Sequence, residues 1–342
     1  METDVKSAIK LTSKNDLPIE ESLIPDVDPT YVPFGFYNNL KDIIESKLFF
    51  TVYVTGLSGN GKTLMVTQVC AALKRECIRV NITKRTDELD LYGGYQLING
   101  ETVRVEGPVI TAMKRGAILL LDEVDYGTED LLCLQPVLEG KPYLDKKRNV
   151  IIHPAPGFNV IATANTKGKG TSDGKFVGAN VLNEAFLERF AITVEQEYPN
   201  QETEKKILEL NFKELGLDTN KNANFINCLT GWADMSRKSY KEGAIDDLIA
   251  TRRLVHIAKA YKIFQTQKNA IRFSIQLSLN RFEEHVSKGL MDFYTKIDED
   301  IDKANKAEQL RQARGAKKPI NTRIPGTSPE LLTLASKLQR NY

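Results

Sequence analysis

The chain has 342 residues, of which 41% are hydrophobic and 27% charged, proportions typical of a soluble globular protein with room for two domains. Its 47 Lys and Arg residues nearly balance 45 Asp and Glu, so no global charge calls for a nucleic acid or a membrane as partner. No apolar run approaches the roughly 20 residues of a membrane span, and the polar N-terminus lacks the apolar core of a secretory signal. Four scattered cysteines without a C-x-x-C pair fit a reducing compartment. We therefore expect a cytoplasmic protein.

Composition and periodicity divide the chain into four parts. Residues 1–30 are polar and then proline-punctuated, which predicts an extended arm. In residues 31–198, short apolar runs alternate with helical patterns, as in a parallel α/β sheet. Residues 199–296 carry only helical periodicity. Residues 297–342 form a basic tail, which we expect to be disordered or a frayed helix. The predicted strands are Phe49–Val54, Cys77–Asn81, Ala117–Leu121, Phe158–Ala162 and Ile192–Val194.

Residues 56–63 read G-x-x-x-x-G-K-T and directly follow an apolar run that ends at Val54. Glycines at these positions let the backbone wrap around a polyphosphate, so that successive N–H groups point at its oxygens. Lys62 supplies a charge for the β- and γ-phosphates, and Thr63 offers a hydroxyl to Mg²⁺ at the start of the next helix. A glycine-rich surface turn is the alternative, but the strand before and the helix after favour a nucleoside triphosphate site. The residues predicted to bind the nucleotide are Gly56, Ser58, Gly59, Asn60, Gly61, Lys62, Thr63 and Leu64.

A second apolar run, residues 118–121, ends in the carboxylates Asp122 and Glu123. A run that is apolar throughout is typical of a buried parallel strand, and ligands of such sheets bind at the carboxyl ends of the strands. Asp122 would then hold Mg²⁺ through water, while Glu123 acts as general base on the attacking water. The alternative is that both acids only cap the following helix. The combination with the phosphate loop favours ATP hydrolysis.

Two predicted β-hairpins interrupt the α/β region. Tyr95–Val105 alternates around Asn99-Gly100, a strong signal for a two-residue turn. Pro142–His153 reads as a second hairpin around Asp145–Lys147, without clear turn chemistry. Neither is needed to build a nucleotide site. The sequence leaves open whether they are surface padding or fingers that contact a substrate.

Further motifs in the same order complete a family pattern: Val160–Thr166, Leu182–Phe190 and Ala250–Leu254. The chain from Ile24 to Lys296 resembles the AAA+ ATPases of the MoxR-like clade with an insert in the second helix, the dynein-related type. The resemblance implies a P-loop NTPase core with a parallel sheet and two inserted hairpins, followed by a smaller all-α lid. Within the clade it most resembles the small ATPase subunit of cobaltochelatases, the CobS type. The stretches that carry this finer likeness are Pro25–Tyr31, Arg85–Gly93 and the Gly-rich loop Ala162–Gly170 with Gly174 and Gly178.

The resemblance implies roles for three further residues. Asn165 matches sensor 1, whose amide orients the hydrolytic water, and Arg189 matches the arginine finger that reaches the nucleotide of a neighbouring subunit. Arg252 matches sensor 2 in the lid, although Ala250 replaces the usual Ser and Arg253 is a second candidate. The alternatives are a strand-end amide, a surface arginine and an ion-paired helix charge. A finger acting in trans implies a ring, with a hexamer expected.

The identity of the client is left open by the sequence. The resemblance implies a motor that remodels or activates a partner complex, with a CobS-like cobaltochelatase subunit as one reading and a MoxR-type activator of another metalloenzyme as an alternative. The partner would be a chelatase large subunit or a chain with a metal-dependent adhesion domain. The adhesion domain is expected on a separate chain, because Asp234–Ser239 of this chain has the wrong spacing for the fingerprint of that domain. A nucleic-acid-associated ATPase using the basic tail is a further, less favoured alternative. A third alternative is a nucleotide-gated assembly module, in which ATP holds the subunits together. The expected ligands are ATP and Mg²⁺.

Overall fold

The centre of the protein is a sheet of five parallel strands in the order β2-β5-β8-β1-β9. The computed structural model describes residues 22–146, 149–170, 178–298 and 301. The strands of the sheet and of two hairpins are β1 (Val52–Thr55), β2 (Cys77–Asn81), β3 (Gly93–Ile98), β4 (Glu101–Glu106), β5 (Ile118–Asp122), β6 (Tyr143–Asp145), β7 (Val150–Ile152), β8 (Asn159–Thr163) and β9 (Ile192–Glu195). The five predicted strands and the α/β fold class are thus confirmed.

The boundaries of the predicted strands shift by at most three residues. The largest shift concerns β1, which was predicted to begin at Phe49 but begins at Val52. Phe49 and Phe50 lie before the strand and are partly exposed. The Phe49 ring stacks on Phe158, and the backbone N–H of Phe50 donates to the side chain of Asn159. These two residues are apolar because they pack beside the strand, so hydrophobicity alone placed its start too early.

Helices cover both faces of the sheet. All residues of β1, β5 and β8 are buried, as expected for parallel strands packed on two sides. Val52 and Val54 pack with Met65 on one face, whereas Tyr53 belongs to the core on the other. The α-helices are α1 (Tyr37–Ser46), α2 (Lys62–Ala72), α3 (Glu88–Tyr92), α4 (Pro108–Arg115), α5 (Gln135–Leu138), α6 (Glu184–Leu187), α7 (Gln201–Glu214), α8 (Ala223–Lys241), α9 (Thr251–Ile263), α10 (Ala270–Leu279) and α11 (Glu284–Ile297).

Both predicted hairpins are present. β3 and β4 pair antiparallel, with Ile98 opposite Glu101, so that Asn99 and Gly100 form the turn. Both turn residues have positive φ, 52° and 85°, which explains the preference for Asn and Gly at these positions. β6 and β7 also pair antiparallel. Of the predicted turn of this second hairpin, Lys147 lies outside the described residues.

The predicted all-helical segment is also confirmed, since α7 to α11 follow β9 without a further described strand. Three helices of this segment meet at a buried ion pair. Arg237 of α8 and Glu204 of α7 make two contacts, of 2.6 and 3.1 Å. Thr251, the first residue of α9, donates to the same carboxylate at 2.7 Å, and Arg237 donates to the Ile249 carbonyl at 3.0 Å. The Arg237 guanidinium, the Glu204 carboxylate and the Thr251 hydroxyl therefore all have partners at this junction.

We predict that Arg237→Ala lowers the free energy of unfolding by about 3–5 kcal/mol, because it leaves the Glu204 carboxylate charged and buried without its partner. Lys238→Ala is the matched control. Lys238 is the next residue, and its ion pair with Asp234 is exposed, so its loss should leave the free energy of unfolding nearly unchanged. Urea unfolding followed by circular dichroism measures both. Equal losses in the two variants would contradict this account of the core.

Residues up to Ile297 belong to one compact unit and residues 298–342 to a second, of which the structure describes only Asp298 and Ile301. The division of the first unit into domains at residues 31–198 and 199–296 stays a prediction. Most of the predicted arm (residues 1–21), Gly174 and the basic tail from residue 302 lie outside the described residues. None of the helices in the described part is long and apolar enough to cross a membrane.

Candidate functional site

The glycine-rich loop connects β1 to α2 at the carboxyl end of the sheet. Helix α2 begins at Lys62, and Gly61 before it has a φ of 91°, a conformation that favours glycine. Gly59 is also in the left-handed region, and a Cβ there would lie 2.9 Å from the Cβ of Ala250. The loop therefore packs against the start of α9. The free N–H groups at the start of α2 form a ready site for a phosphate.

Most predicted site residues line one cavity of about 550 Å³. They are Ser58, Gly59, Asn60, Gly61, Lys62, Thr63, Leu64, Asp122, Glu123, Asn165 and Arg252. Gly56 lies beside the cavity, where its carbonyl oxygen is 2.6 Å from Nζ of Lys62. Arg189 is not among the lining residues. The fold thus brings together residues from four separate motifs at one edge of the sheet.

Lys62 is the cation at the centre of this cavity, and only 7% of it is exposed. Its Nζ lies 3.3 Å from the side-chain oxygen of Asn165 and 3.0 Å from the Leu57 carbonyl. Burial lowers the pKa of Lys62 to about 8, although the nearby carboxylates of Asp125 and Asp122 act in the opposite direction. An anionic ligand beside Nζ would favour the charged form further. The position of Lys62 therefore suits the binding of a negatively charged group.

The pKa of Lys62 predicts how nucleotide affinity depends on pH. Below pH 8 the ammonium is already protonated, so the dissociation constant for Mg²⁺-ATP should be nearly constant. Above pH 8, binding must take up a proton, and affinity should fall by up to about tenfold per pH unit. Calorimetric titration between pH 6.5 and 9.5 measures this dependence. Adenosine, which lacks phosphates, is the control and should bind without the alkaline loss; the same loss for adenosine would contradict the assignment to Lys62.

Asp122, at the end of β5, is 2% exposed and makes three side-chain contacts. Its Oδ1 accepts hydrogen bonds from Thr63, at 2.8 Å, and from Thr163. Its Oδ2 pairs with Arg79 of the neighbouring strand β2, a contact that the sequence analysis missed. The hydroxyl of Thr63 and the carboxylate of Asp122 are adjacent hard oxygen donors, which suit Mg²⁺ with its remaining waters and phosphate oxygens. The residues present therefore fit the predicted Mg²⁺ site.

Glu123 has an unusual backbone conformation. Its φ of 59° lies in the left-handed region, which costs a non-glycine residue on the order of 1–3 kcal/mol. Its N–H donates to the hydroxyl of Thr163 at 3.2 Å. Whereas Asp122 beside it is buried, Glu123 is exposed and lines the cavity. The turn thus directs consecutive carboxylates to different tasks, one inside the polar network and the other facing the cavity.

Asn165 follows the end of β8, and its side-chain oxygen faces Lys62 across the cavity. The backbone N–H of Asn165 donates to the carboxylate of Asp125 at 2.8 Å. Asp125 is fully buried, and the sequence analysis did not identify it as part of the site. Asp125 belongs to no recognisable sequence motif, because its hydrogen-bond partners are backbone groups 40 residues away.

The start of α9 presents two arginines with different surroundings. Arg252 lines the cavity, and its backbone N–H donates to the Gly59 carbonyl at 3.3 Å. Arg253 does not line it; its guanidinium lies 5.8 Å from the ring centre of Phe282. This placement agrees with the choice of Arg252 for sensor 2, although its role stays a prediction. The glycine-rich loop also contacts the segment between β9 and α7, since the Tyr198 hydroxyl donates to the Ser58 carbonyl at 2.7 Å.

The guanidinium of Arg189 contacts its own chain. Its Nε is 2.9 Å from the Glu139 carboxylate, and its Nη1 donates to the Ala185 carbonyl. Arg189 follows α6 and stands before β9, away from the residues that line the cavity. A role at its own nucleotide site has no support from these contacts. The implied role in trans stays a prediction.

Further lining residues were not predicted as part of the site. Tyr31, Val32 and Phe34, from the segment before α1, line the cavity together with Ile207 of α7 and Val255 of α9. Apolar and aromatic side chains offer surfaces on which a planar base can stack. Asn211 and Lys259 add polar groups to the lining. The cavity lining therefore combines the phosphate-loop residues with apolar and aromatic side chains.

In the described part of the chain, no group of three or more His, Cys, Asp or Glu side chains is close enough to hold a metal ion. Thr63 and Asp122 together supply two oxygen donors for Mg²⁺, and a nucleotide's phosphates and water would supply the other ligands.

The chain is similar to several known proteins. Residues 51–190 match the AAA domain of the dynein-related subfamily. The aerobic cobaltochelatase subunit CobS of a Sinorhizobium species is 28% identical over 272 residues, which make up 77% of this chain and 80% of CobS. NorQ of Paracoccus denitrificans is 27% identical over 248 residues, 72% of this chain and 86% of NorQ. Midasin of Giardia intestinalis is 30% identical over 143 residues, 41% of this chain but 3% of midasin.

Proposed function

We propose that this chain, an AAA+ ATPase of the dynein-related subfamily related to CobS and NorQ, is the motor subunit of a ring that remodels a partner complex. The observation that carries the proposal is the shared cavity. In it, the phosphate loop with Lys62, the carboxylates of Asp122 and Glu123, and the amide of Asn165 face the same space. This arrangement supports binding of ATP with hydrolysis of its γ-phosphate.

In the proposed reaction, the base of ATP packs against the apolar and aromatic lining residues and the phosphates lie along the glycine-rich loop. Lys62 and the N–H groups of the loop hold the β- and γ-phosphates. Thr63 and Asp122 would hold Mg²⁺, which when bound neutralises phosphate charge. Glu123 accepts a proton from a water whose oxygen attacks the γ-phosphorus, and the bond to the ADP oxygen breaks. Asn165 orients that water.

The proposed ring rests on Arg189, which is expected to act on the nucleotide of a neighbouring subunit. Phosphoryl transfer gains about 10³–10⁵ in rate from an arginine that contacts the transferring group. Arg189 does not line the cavity of its own chain, and its ion pair with Glu139 is only partly buried, with 25% of the Arg189 side chain exposed. A neighbouring copy therefore supplies Arg189, and a closed ring, with a hexamer expected, repeats this contact.

The client is a separate chain. The related CobS is a cobaltochelatase subunit, and 28% identity over 80% of its length favours a chelatase large subunit as the partner. The likeness to NorQ favours the second candidate, in which the motor activates another metalloenzyme through an adaptor such as a metal-dependent adhesion domain. A nucleic-acid-associated ATPase has weaker support, because it depends on the basic tail alone.

Two measurements test this proposal. Phosphate release from Mg²⁺-ATP should rise more steeply than in proportion to protein concentration, as rings assemble, and sedimentation velocity should show the ring under the same conditions. A protein that hydrolyses ATP at full rate while strictly monomeric would contradict the ring.

Affinity capture of partners with and without ATP then identifies the client, and an adaptor or metalloenzyme chain among them supports the motor. Strong stimulation of hydrolysis by DNA would instead support the nucleic-acid-associated ATPase.

A further inference from the structure

Asp125 is a buried acid that the reaction above does not use. It lies in the one-turn 3₁₀ helix Val124–Tyr126, two residues after Glu123, and is 0% exposed. Its Oδ2 accepts hydrogen bonds from two consecutive backbone N–H groups, those of Asn165 at 2.8 Å and Thr166 at 3.0 Å. A charged acceptor shared by two amides makes stronger hydrogen bonds than a neutral one. The side chain therefore ties the turn after β5 to the segment after β8.

The backbone of the turn that contains Asp125 also binds a second segment of the chain, at Asn180. Its carbonyl oxygen accepts the N–H of Asn180 at 2.7 Å. The Asn180 side chain donates to the carbonyls of Tyr126 at 3.3 Å and Gly127 at 2.8 Å. The turn that follows Glu123 is therefore fastened on one side to Asn165 and Thr166 and on the other to Asn180.

We propose that Asp125 is a positioning residue for ATP hydrolysis, which fixes the backbone of Asn165 so that its amide faces the γ-phosphate position. The inference rests on the proposed function. Glu123 and Asp125 belong to one turn, so this contact sets the distance between the base and the residue that orients the water. Displacements of about 1 Å at such a site cost on the order of a hundredfold in rate.

The burial of Asp125 distinguishes it from a surface acid. Burying an acceptor of this kind is costly unless hydrogen bonds compensate for it. Its Oδ2 accepts two such bonds, whereas in the described part of the chain its Oδ1 has no hydrogen-bond partner.

A double-mutant cycle at pH 7 tests the proposal. Asp125→Ala should lower kcat at least tenfold while the dissociation constant for ATP changes less than fivefold. The double variant with Asn165→Ala should be no more than threefold slower than Asn165→Ala alone, because Asp125 acts through that residue. Asp130→Ala is the matched control: Asp130 is an exposed acid of the next turn whose carboxylate accepts a hydrogen bond from Thr128, and wild-type rates are expected. Independent, multiplying effects of the two substitutions would overturn the proposal.

A second readout does not depend on activity. Hydrogen–deuterium exchange of the backbone amides of Asn165 and Thr166 should be at least tenfold faster in the Asp125→Ala variant than in wild type and in Asp130→Ala. Unchanged protection of these amides would overturn the proposal. Absence of ATP hydrolysis in the wild type would refute only the proposed function, and the exchange experiment could still be read in that case. If Asp125→Ala does not fold, Asp125→Asn replaces it in both experiments. Its amide oxygen keeps one acceptor, so slower hydrolysis and intermediate protection are expected, and wild-type values for both would overturn the inference.

Discussion

The Glu123→Gln protein should bind ATP with nearly wild-type affinity and hydrolyse it at least a hundredfold more slowly. Glutamine has the same shape as glutamate, so the turn with its left-handed backbone at residue 123 is preserved. Its neutral amide, however, cannot accept the proton of the attacking water, and loss of a general base costs 10²–10⁴ in rate. The Lys62 and Asp122 side chains that hold the phosphates and Mg²⁺ are unchanged. The defect therefore lies in the chemical step.

Phosphate release under saturating ATP, together with a direct measurement of ATP binding, checks this expectation. Glu129→Gln is the matched control, because Glu129 is an exposed acid six residues further along the chain and does not line the cavity. Wild-type turnover is expected from it. The assignment fails if Glu123→Gln retains more than a tenth of the wild-type rate, or if it loses ATP binding as well as hydrolysis.

The fold was predictable because local signals and tertiary structure agree. In the run before Asp122, the side chains on both faces of the predicted strand are apolar. This run forms β5, which is buried throughout. Asn99-Gly100 predicts a tight turn because both positions need positive φ, and the turn lies there. The phosphate loop was recognisable for the same reason, since its spacing encodes a backbone conformation together with the position of Lys62. Such features are written in a few consecutive residues.

The missed parts of the site depend on contacts between distant residues. Arg79 lies in β2, and only the parallel pairing with β5 brings it to Asp122. Asp125 binds backbone N–H groups, which every residue type except proline possesses, so no partner type marks it in the sequence. Tyr31 and Phe34 line the cavity from a segment without regular secondary structure. The order of motifs implied a nucleotide site but did not indicate which residues complete its walls.

The Arg189→Ala protein should bind ATP normally, because Arg189 does not line the cavity of its own chain, but hydrolyse it about a thousandfold more slowly. Arg115→Ala is the control: Arg115 also forms a partly exposed ion pair within the chain, with Glu76, and its loss should leave turnover unchanged. Equilibrium binding of a fluorescent ATP analogue and steady-state phosphate release measure the two effects. Loss of binding in Arg189→Ala would place the residue at its own site and contradict the role in trans.

Mixing the Arg189→Ala protein with Lys62→Ala protein separates a contact between subunits from a contact within one. Each variant alone lacks one half of every site, since the first has no finger and the second cannot hold the phosphates. In a mixed ring, a site is complete where an Arg189→Ala subunit binds ATP and its Lys62→Ala neighbour supplies the finger. Random assembly from equal amounts makes about a quarter of the sites complete, because a ring repeats one head-to-tail contact. Activity should therefore recover to about a quarter of the wild-type value. Mixed rings verified by energy transfer between labelled subunits, yet without any recovery, would show that Arg189 does not act on a neighbour's nucleotide.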